Sequence, residues 1–187
     1  MILPIYGYGH PVLKKVAKPI GPDYPELEKL IADMWDTMYN ASGVGLAAPQ
    51  IGKSIRLFIV DTKQSYEEEE GDKGIRQVFI NPERIDETGE PWLYEEGCLS
   101  IPDIRGDVER PERIRLRWLD EQFQSHEAEF DGLEARVIQH EYDHLEGVLF
   151  VEKLANPLKR KLIKRKLDQI RRGRIQPSYR MVFAERR

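Results

Sequence analysis

Val137-Ile138-Gln139-His140-Glu141-Tyr142-Asp143-His144-Leu145 is the stretch from which the rest of the chain can be read. On a helix, at about 100° per residue, His144 lies about 40° round from His140, so the two imidazoles share a face and can grip one metal ion. Glu141 lies about 100° from His140, beside such an ion rather than on it, where a general base can act on water. Leu133 and Val137 fall on the histidine side, while Ile138, Tyr142 and Leu145 fall opposite. A helix apolar on two sides is buried on both, which places it at the centre of the domain. Asp131 and Glu134 have capping-box spacing at its start, and Gly147 can cap its end near Glu146.

Working outward, residues 114, 116 and 118 (Ile, Leu, Trp) alternate with arginines as on a half-buried strand, and residues 122–130 pair with it across a turn near Asp120-Glu121. Residues 55–60 read as a buried strand, 77–81 as its returning partner, and the acidic segment 63–73 between them as a solvated hairpin loop. Further upstream, Asp23 and Glu26 again have capping-box spacing, with Pro25 in the first turn. Leu27, Leu30, Ile31, Met34, Trp35 and Met38 then follow a helical period that ends near residues 40–43. Strands followed by a helix, without regular β-α alternation, predict an α+β fold: largely antiparallel β-sheets packed around a central buried metal-binding helix, plus an N-terminal and a C-terminal helix.

A length of 187 residues fits one domain with a tail, and 40% hydrophobic with 33% charged residues marks a folded chain rather than a disordered one. No run approaches the roughly 18 apolar residues that span a bilayer, and residues 1–10 lack the pattern of a secretion signal. The single cysteine, Cys98, can form no internal disulfide, in keeping with a reducing compartment. Cytoplasmic location is therefore expected, with no membrane and no DNA partner. From Glu152 onward 13 lysines and arginines face 3 acidic residues, whereas the remainder carries 16 basic and 30 acidic, so an acidic body bears a basic tail.

Two histidines need a third protein ligand to hold a catalytic metal while leaving one position open. Downstream, Glu146 is too close and Glu152 lies in another setting. Upstream, Glu96-Gly97-Cys98-Leu99-Ser100 offers a thiolate, an excellent ligand for a divalent transition metal. Gly43-Val44-Gly45-Leu46-Ala47-Ala48-Pro49-Gln50 adds small residues against which a substrate can lie, and an amide able to donate a hydrogen bond.

Together these three segments resemble the GxGLAAxQ, EGCLS and HExDH signatures of the bacterial-type peptide deformylase family, in the family's order. The Gly9-His10-Pro11-Val12-Leu13 opening, Asn81-Pro82 and Ser100-Ile101-Pro102 add to a resemblance that covers residues 2–154. It implies a catalytic domain over 1–154 followed by a basic helix and tail over 155–187. It also implies a hydrolase that removes the formyl group from the N-terminal formylmethionine of newly made proteins, releasing formate. Cys98, His140 and His144 are implied metal ligands for one divalent ion, natively Fe²⁺, with Zn²⁺, Ni²⁺ or Co²⁺ able to substitute. Metal-bound water then attacks the formyl carbon, with Glu141 as general base and acid and with the Gln50 amide and Leu99 N–H stabilising the oxyanion. Gly45 is implied to contact substrate through its backbone. Val44, Leu99, Val137 and His140 border the methionine pocket, and Glu96 and Arg105 lie near it. Arg136 stands at a pocket-edge position where some relatives carry an aliphatic residue.

Three other readings fit less well. A peptidase of the HExxH type leaves Cys98 and the Gly43 to Gln50 segment without a task. A structural zinc site normally closes with a fourth Cys or His. A noncatalytic binding relative is expected to have lost Glu141, Gln50 or Cys98, and all are present. The tail, residues 157–172, reads as one amphipathic helix with Leu158, Leu162, Ile163, Leu167 and Ile170 on its apolar face. Two readings stand for its basic face: it meets RNA or a ribosomal surface, beside the nascent N-formylmethionyl peptides, or it is solvated without a partner.

Overall fold

A computed structural model describes residues 1–67 and 72–185, so the glutamates at 68–70 in the acidic loop lie outside the described residues. Five antiparallel strands form the main sheet in chain order: β2 (Gly45–Ala47), β3 (Leu57–Asp61), β4 (Arg76–Cys98), β5 (Ile101–Leu119) and β6 (Ser125–Asp131). β1 (Ile5–Tyr6) and β7 (Met181–Val182) pair in parallel and bring the two ends of the chain together. Two helices anchor the body, α1 (Leu27–Asn40) and α2 (Gly132–Leu145), and two short ones follow, α3 (Pro157–Leu162) and α4 (Lys164–Arg171). This is the α+β architecture expected, with α2 at its centre: residues 135–145 are buried without exception.

The core explains the position of α2. Ile138, Tyr142 and Leu145 pack against Phe58, Phe79, Ile114, Leu116 and Trp118 of the sheet. Rings add directional contacts there: Phe58 stacks on Phe79 at 4.7 Å and Phe79 leans on Trp118 at 5.0 Å. On β5, Ile114, Leu116 and Trp118 point inward and Arg113, Arg115 and Arg117 outward, as the period-two pattern requires.

Neither capping box forms. Glu26, in the left-handed region at φ 53°, precedes α1 without a side-chain cap, and the helix begins at Leu27. Asp23 is used instead in a tight turn, with Tyr24 N–H donating to the Gly21 carbonyl at 3.1 Å and the Asp23 carboxylate folded over Gly21. Asp131 ends β6 in extended conformation and gives α2 no side-chain cap, because Gly132 at φ 55° turns strand directly into helix. Glu134 receives the hydroxyls of Thr62 at 3.1 Å and Tyr66 at 2.9 Å. The end of α2 follows expectation: Val148 N–H donates to the Asp143 carbonyl and Gly147 N–H to that of His144, a Schellman closure around Gly147 at φ 71°.

Two elements differ from the reading of the sequence. β4 runs far beyond residue 81, because β4 and β5 form a long hairpin whose residues 83–95 are mostly exposed on both faces and carry no alternation. The C-terminal helix is broken at Ile163 into α3 and α4. Ile163, Leu167 and Ile170 dock beside Ile101, Ile104 and Phe150, but Leu158 and Leu162 stay 60% and 68% exposed, so the apolar face is only half used. Among the described residues, no helix is long and apolar enough to cross a membrane.

Candidate metal centre and catalytic cleft

The last residue of β4 and one face of α2 meet at the floor of a cleft of about 660 Å³. One ligand atom each from Cys98, His140 and His144 lies within 4.8 Å of the other two. Cys98 Sγ is 3.3 Å from His144 Nε2, and the two imidazole rings are 5.1 Å apart at their centroids. The helix thus presents both histidines on one face, as the i, i+4 spacing requires, and the hairpin delivers the thiol to them.

His140 is oriented from behind. Its Nδ1 contacts Glu96 Oε1 at 2.9 Å, which turns Nε2 toward the other ligands. Glu96 also receives both arms of Arg110, at 2.7 and 3.0 Å, and Arg136 Nη1 at 3.0 Å. Arg110 reaches on to Asp143 Oδ2 at 2.7 Å, which Lys153 also meets at 2.9 Å. Burial alone pushes the Glu96 carboxyl up, but the hydrogen bonds of His140 and Arg110 outweigh it and hold Glu96 well below the usual carboxylate range. With every Glu96 oxygen engaged, this residue faces the ligand sphere rather than offering a free carboxylate to a substrate.

Glu141 is buried beside the ligands on the cleft wall, and its Oε2 has no hydrogen-bond partner. Burial raises its carboxyl to about 7, against the opposing pull of His140. Burial, together with the nearby His140, pushes His144 well below its ordinary value. A thiol and two imidazoles converging beside an unsatisfied buried carboxylate oxygen fit a divalent transition metal.

The remaining predicted residues gather around this floor. Gln50 Oε1 accepts from Ala47 N–H at 2.9 Å, which aims its amide at Cys98 Sγ (3.5 Å) and Ser100 Oγ (3.2 Å). Val44, Gly45, Leu99 and Val137 all line the cleft, with Val44 at its open side and Val137 buried. Gly45 lies against Glu141: a Cβ there would stand 2.5 Å from Glu141 Oε1. Arg105 is on the exposed rim, paired with Glu95 at 3.0 Å. Arg136 lines the cleft, yet its guanidinium is turned into the wall, donating to the carbonyls of Val108 and Trp92 and stacked 4.6 Å from the Trp92 ring.

Several contributors escaped the sequence reading. The bonds of Arg110 and Arg136 to Glu96 carry no motif, since one buried arginine on an arginine-rich strand looks like its exposed neighbours. Lys153 on Asp143 is likewise unmarked. Residues 176–179 line the cleft although the tail beyond Gly173 shows no period at all.

Comparison with known proteins agrees with this geometry. Residues 2–161 match the family model described as polypeptide deformylase. The chain is 54% identical to a peptide deformylase of Christiangramia forsetii over 98% of this chain and 96% of that protein. It is 52% identical to one of Cytophaga hutchinsonii over 98% of both. A crystal structure of a peptide deformylase from Legionella pneumophila superposes with a TM-score of 0.79 at 43% identity, covering 90% of this chain and 95% of that one. A Synechococcus elongatus peptide deformylase solved with actinonin gives a TM-score of 0.79 at 38% identity, over 96% and 92%.

Proposed function

The chain belongs to the polypeptide deformylase family, and from that premise we propose how its residues divide the work of removing the formyl group from the N-terminal formylmethionine of new proteins. Cys98, His140 and His144 hold one divalent ion, natively Fe²⁺, with Zn²⁺, Ni²⁺ or Co²⁺ able to replace it. The observation that carries this is the convergence of three ligand atoms within 4.8 Å beside an unpartnered buried carboxylate oxygen. An ion held there supplies Lewis acidity, which makes a water molecule acidic near neutral pH.

Glu141 takes the proton of the attacking water. Negative charge then grows on the formyl oxygen, where the Gln50 amide and the Leu99 N–H meet it; one such donor is typically worth about 2.7–4 kcal/mol. Glu141 passes its proton to the leaving amine, and formate and a free methionine amino group result. Val44, Leu99, Val137 and His140 border the methionine side chain, and Gly45 lends backbone to the peptide. Glu96 acts through His140, and Arg105 sits at the rim. A hydrogen in place of an alkyl group lets formyl reach the buried floor, where larger acyl groups are excluded.

This catalytic set lies within residues 1–154, and residues 155–187 carry the basic helices. We place the enzyme in the cytoplasm, with the basic face of α3 and α4 meeting the ribosome. Co-sedimentation with ribosomes should be salt-sensitive and should fall when Lys159, Lys161 and Lys164 are changed to Glu; binding unaffected by those changes excludes this surface. The metal assignment is tested with the Co²⁺-loaded protein, which should show a thiolate-to-metal absorption band that Cys98→Ser removes. A band that survives this change would rule out Cys98 as a ligand.

A further inference from the structure

The turn joining β4 to β5 holds Leu99 and Ser100, and the two ends of the chain grip its carbonyls. The Ser100 carbonyl accepts from Tyr8 N–H at 2.9 Å, two residues past β1. The Leu99 carbonyl accepts from the Tyr179 hydroxyl at 2.7 Å, two residues before β7. β1 and β7 are themselves paired, Ile5 with Met181 and Tyr6 with Val182, so both grips belong to one assembly. The tail is held on either side of this point, by buried Leu167 and Ile170 of α4 and by buried Met181 of β7. Between those anchors, residues 176–179 form part of the cleft wall together with Leu99, Asp103 and Arg105. The match to the family model ends at residue 161, well short of this segment.

Two consequences follow from the geometry. The buried floor of the cleft, with Glu141 and His140, receives the formyl group, so the rest of the substrate must leave through the open side. Gln176 and Ser178 are exposed there, flanking the half-buried Pro177 and Tyr179. Such a wall, with neutral polar side chains and the apolar ring of a proline, suits an extended, uncharged peptide backbone. Second, the N–H and the carbonyl of Leu99 belong to consecutive rigid peptide planes. Fixing the carbonyl plane from the tail limits rotation about Leu99, and so limits the direction of the N–H assigned to the formyl oxygen.

We propose that residues 176–179 complete the substrate groove against the third and later residues of the peptide, and that Tyr179 is a positioning residue for the Leu99 amide. The proposal rests on the site assignment above. In the full chain loaded with Ni²⁺, formate release is measured from formyl-Met-Ala and from formyl-Met-Ala-Ser-Ala. Ser178→Trp, at an exposed position that leaves the core untouched, should change kcat/KM for the longer peptide about fivefold, chiefly through KM. It should leave the dipeptide within about twofold, a split that a merely structural tail does not produce. Tyr179→Phe keeps the ring and removes only the hydroxyl. It should lower kcat about threefold to tenfold on both peptides with KM little changed, the factor of one neutral hydrogen bond. An unchanged ratio between the peptides in Ser178→Trp, or an unchanged kcat in Tyr179→Phe, overturns the proposal. A wild-type chain inactive on both peptides would overturn the underlying site assignment, and the proposal with it.

Discussion

Glu141 can lie where it does because residue 45 has no side chain. A Cβ on Gly45 would sit 2.5 Å from Glu141 Oε1 and 2.9 Å from its Cδ, so Gly45→Ala must displace Glu141 or open β2. The displacement should lower kcat by roughly 10²-fold, the cost of a misplacement near 1 Å, while metal content measured on the same sample stays intact. Glu96 acts at the same scale but through charge. Its carboxylate holds two buried arginines and His140. Glu96→Gln removes the charge that compensates them, and breaking such a buried pair costs about 3–5 kcal/mol. Thermal unfolding should show that loss, and metal titration should show an affinity about 10–100-fold weaker, because His140 loses its orienting partner.

Among the elements, α2 carries both the core and the site. Ile138 faces the sheet, away from the cleft, and is fully buried. Ile138→Ala should therefore cost about 2–5 kcal/mol in thermal unfolding, and the folded fraction should retain its metal. This helix was legible in the sequence because two signals coincide on it: apolar residues on two faces, and histidines at i, i+4. The alternation of Ile114, Leu116 and Trp118 revealed β5 for the same reason, since burial on one face leaves a period. The outer hairpin left none. Residues 83–95 stand clear of the core, so neither face demands apolar side chains, and only pairing with β5 makes them a strand. Both expected capping boxes failed because other contacts took the capping residues: a local turn claimed Asp23, Gly132 carried strand directly into helix after Asp131, and the Thr62 and Tyr66 hydroxyls claimed Glu134. The Cys98, His140 and His144 cluster was readable from short motifs, whereas the bonds of Arg110 and Arg136 to Glu96 and of Tyr179 to Leu99 come from long-range packing that no local spacing records.

In the whole molecule, the ligand set ties together parts that are distant in sequence. Cys98 closes the long hairpin, and His140 and His144 belong to the central helix, so an ion there cross-links sheet and helix. Stripping the ion with a chelator should lower Tm by roughly 5–10 °C, as expected for an ion present near 100 times its dissociation constant, and readdition should restore it. Cys98 as a ligand is also a point of chemical weakness, because it can be oxidised and an Fe²⁺ centre, unlike Ni²⁺, can be oxidised and lost in air. The Fe²⁺ form should lose activity in air and the Ni²⁺ form should keep it; equal rates of inactivation would contradict this account of the loss.

The central claim is that Glu141 moves the protons of deformylation at a metal held by Cys98, His140 and His144. The most direct test is formate release from a formyl-Met-Ala-Ser peptide by anaerobically prepared protein containing Fe²⁺ or Ni²⁺, beside the Glu141→Ala variant with its metal content measured. Rapid release by the wild type, reduced by about 10²–10⁴-fold or more in a variant that still binds one metal ion, is the predicted result. Comparable release by the metal-loaded variant would contradict it.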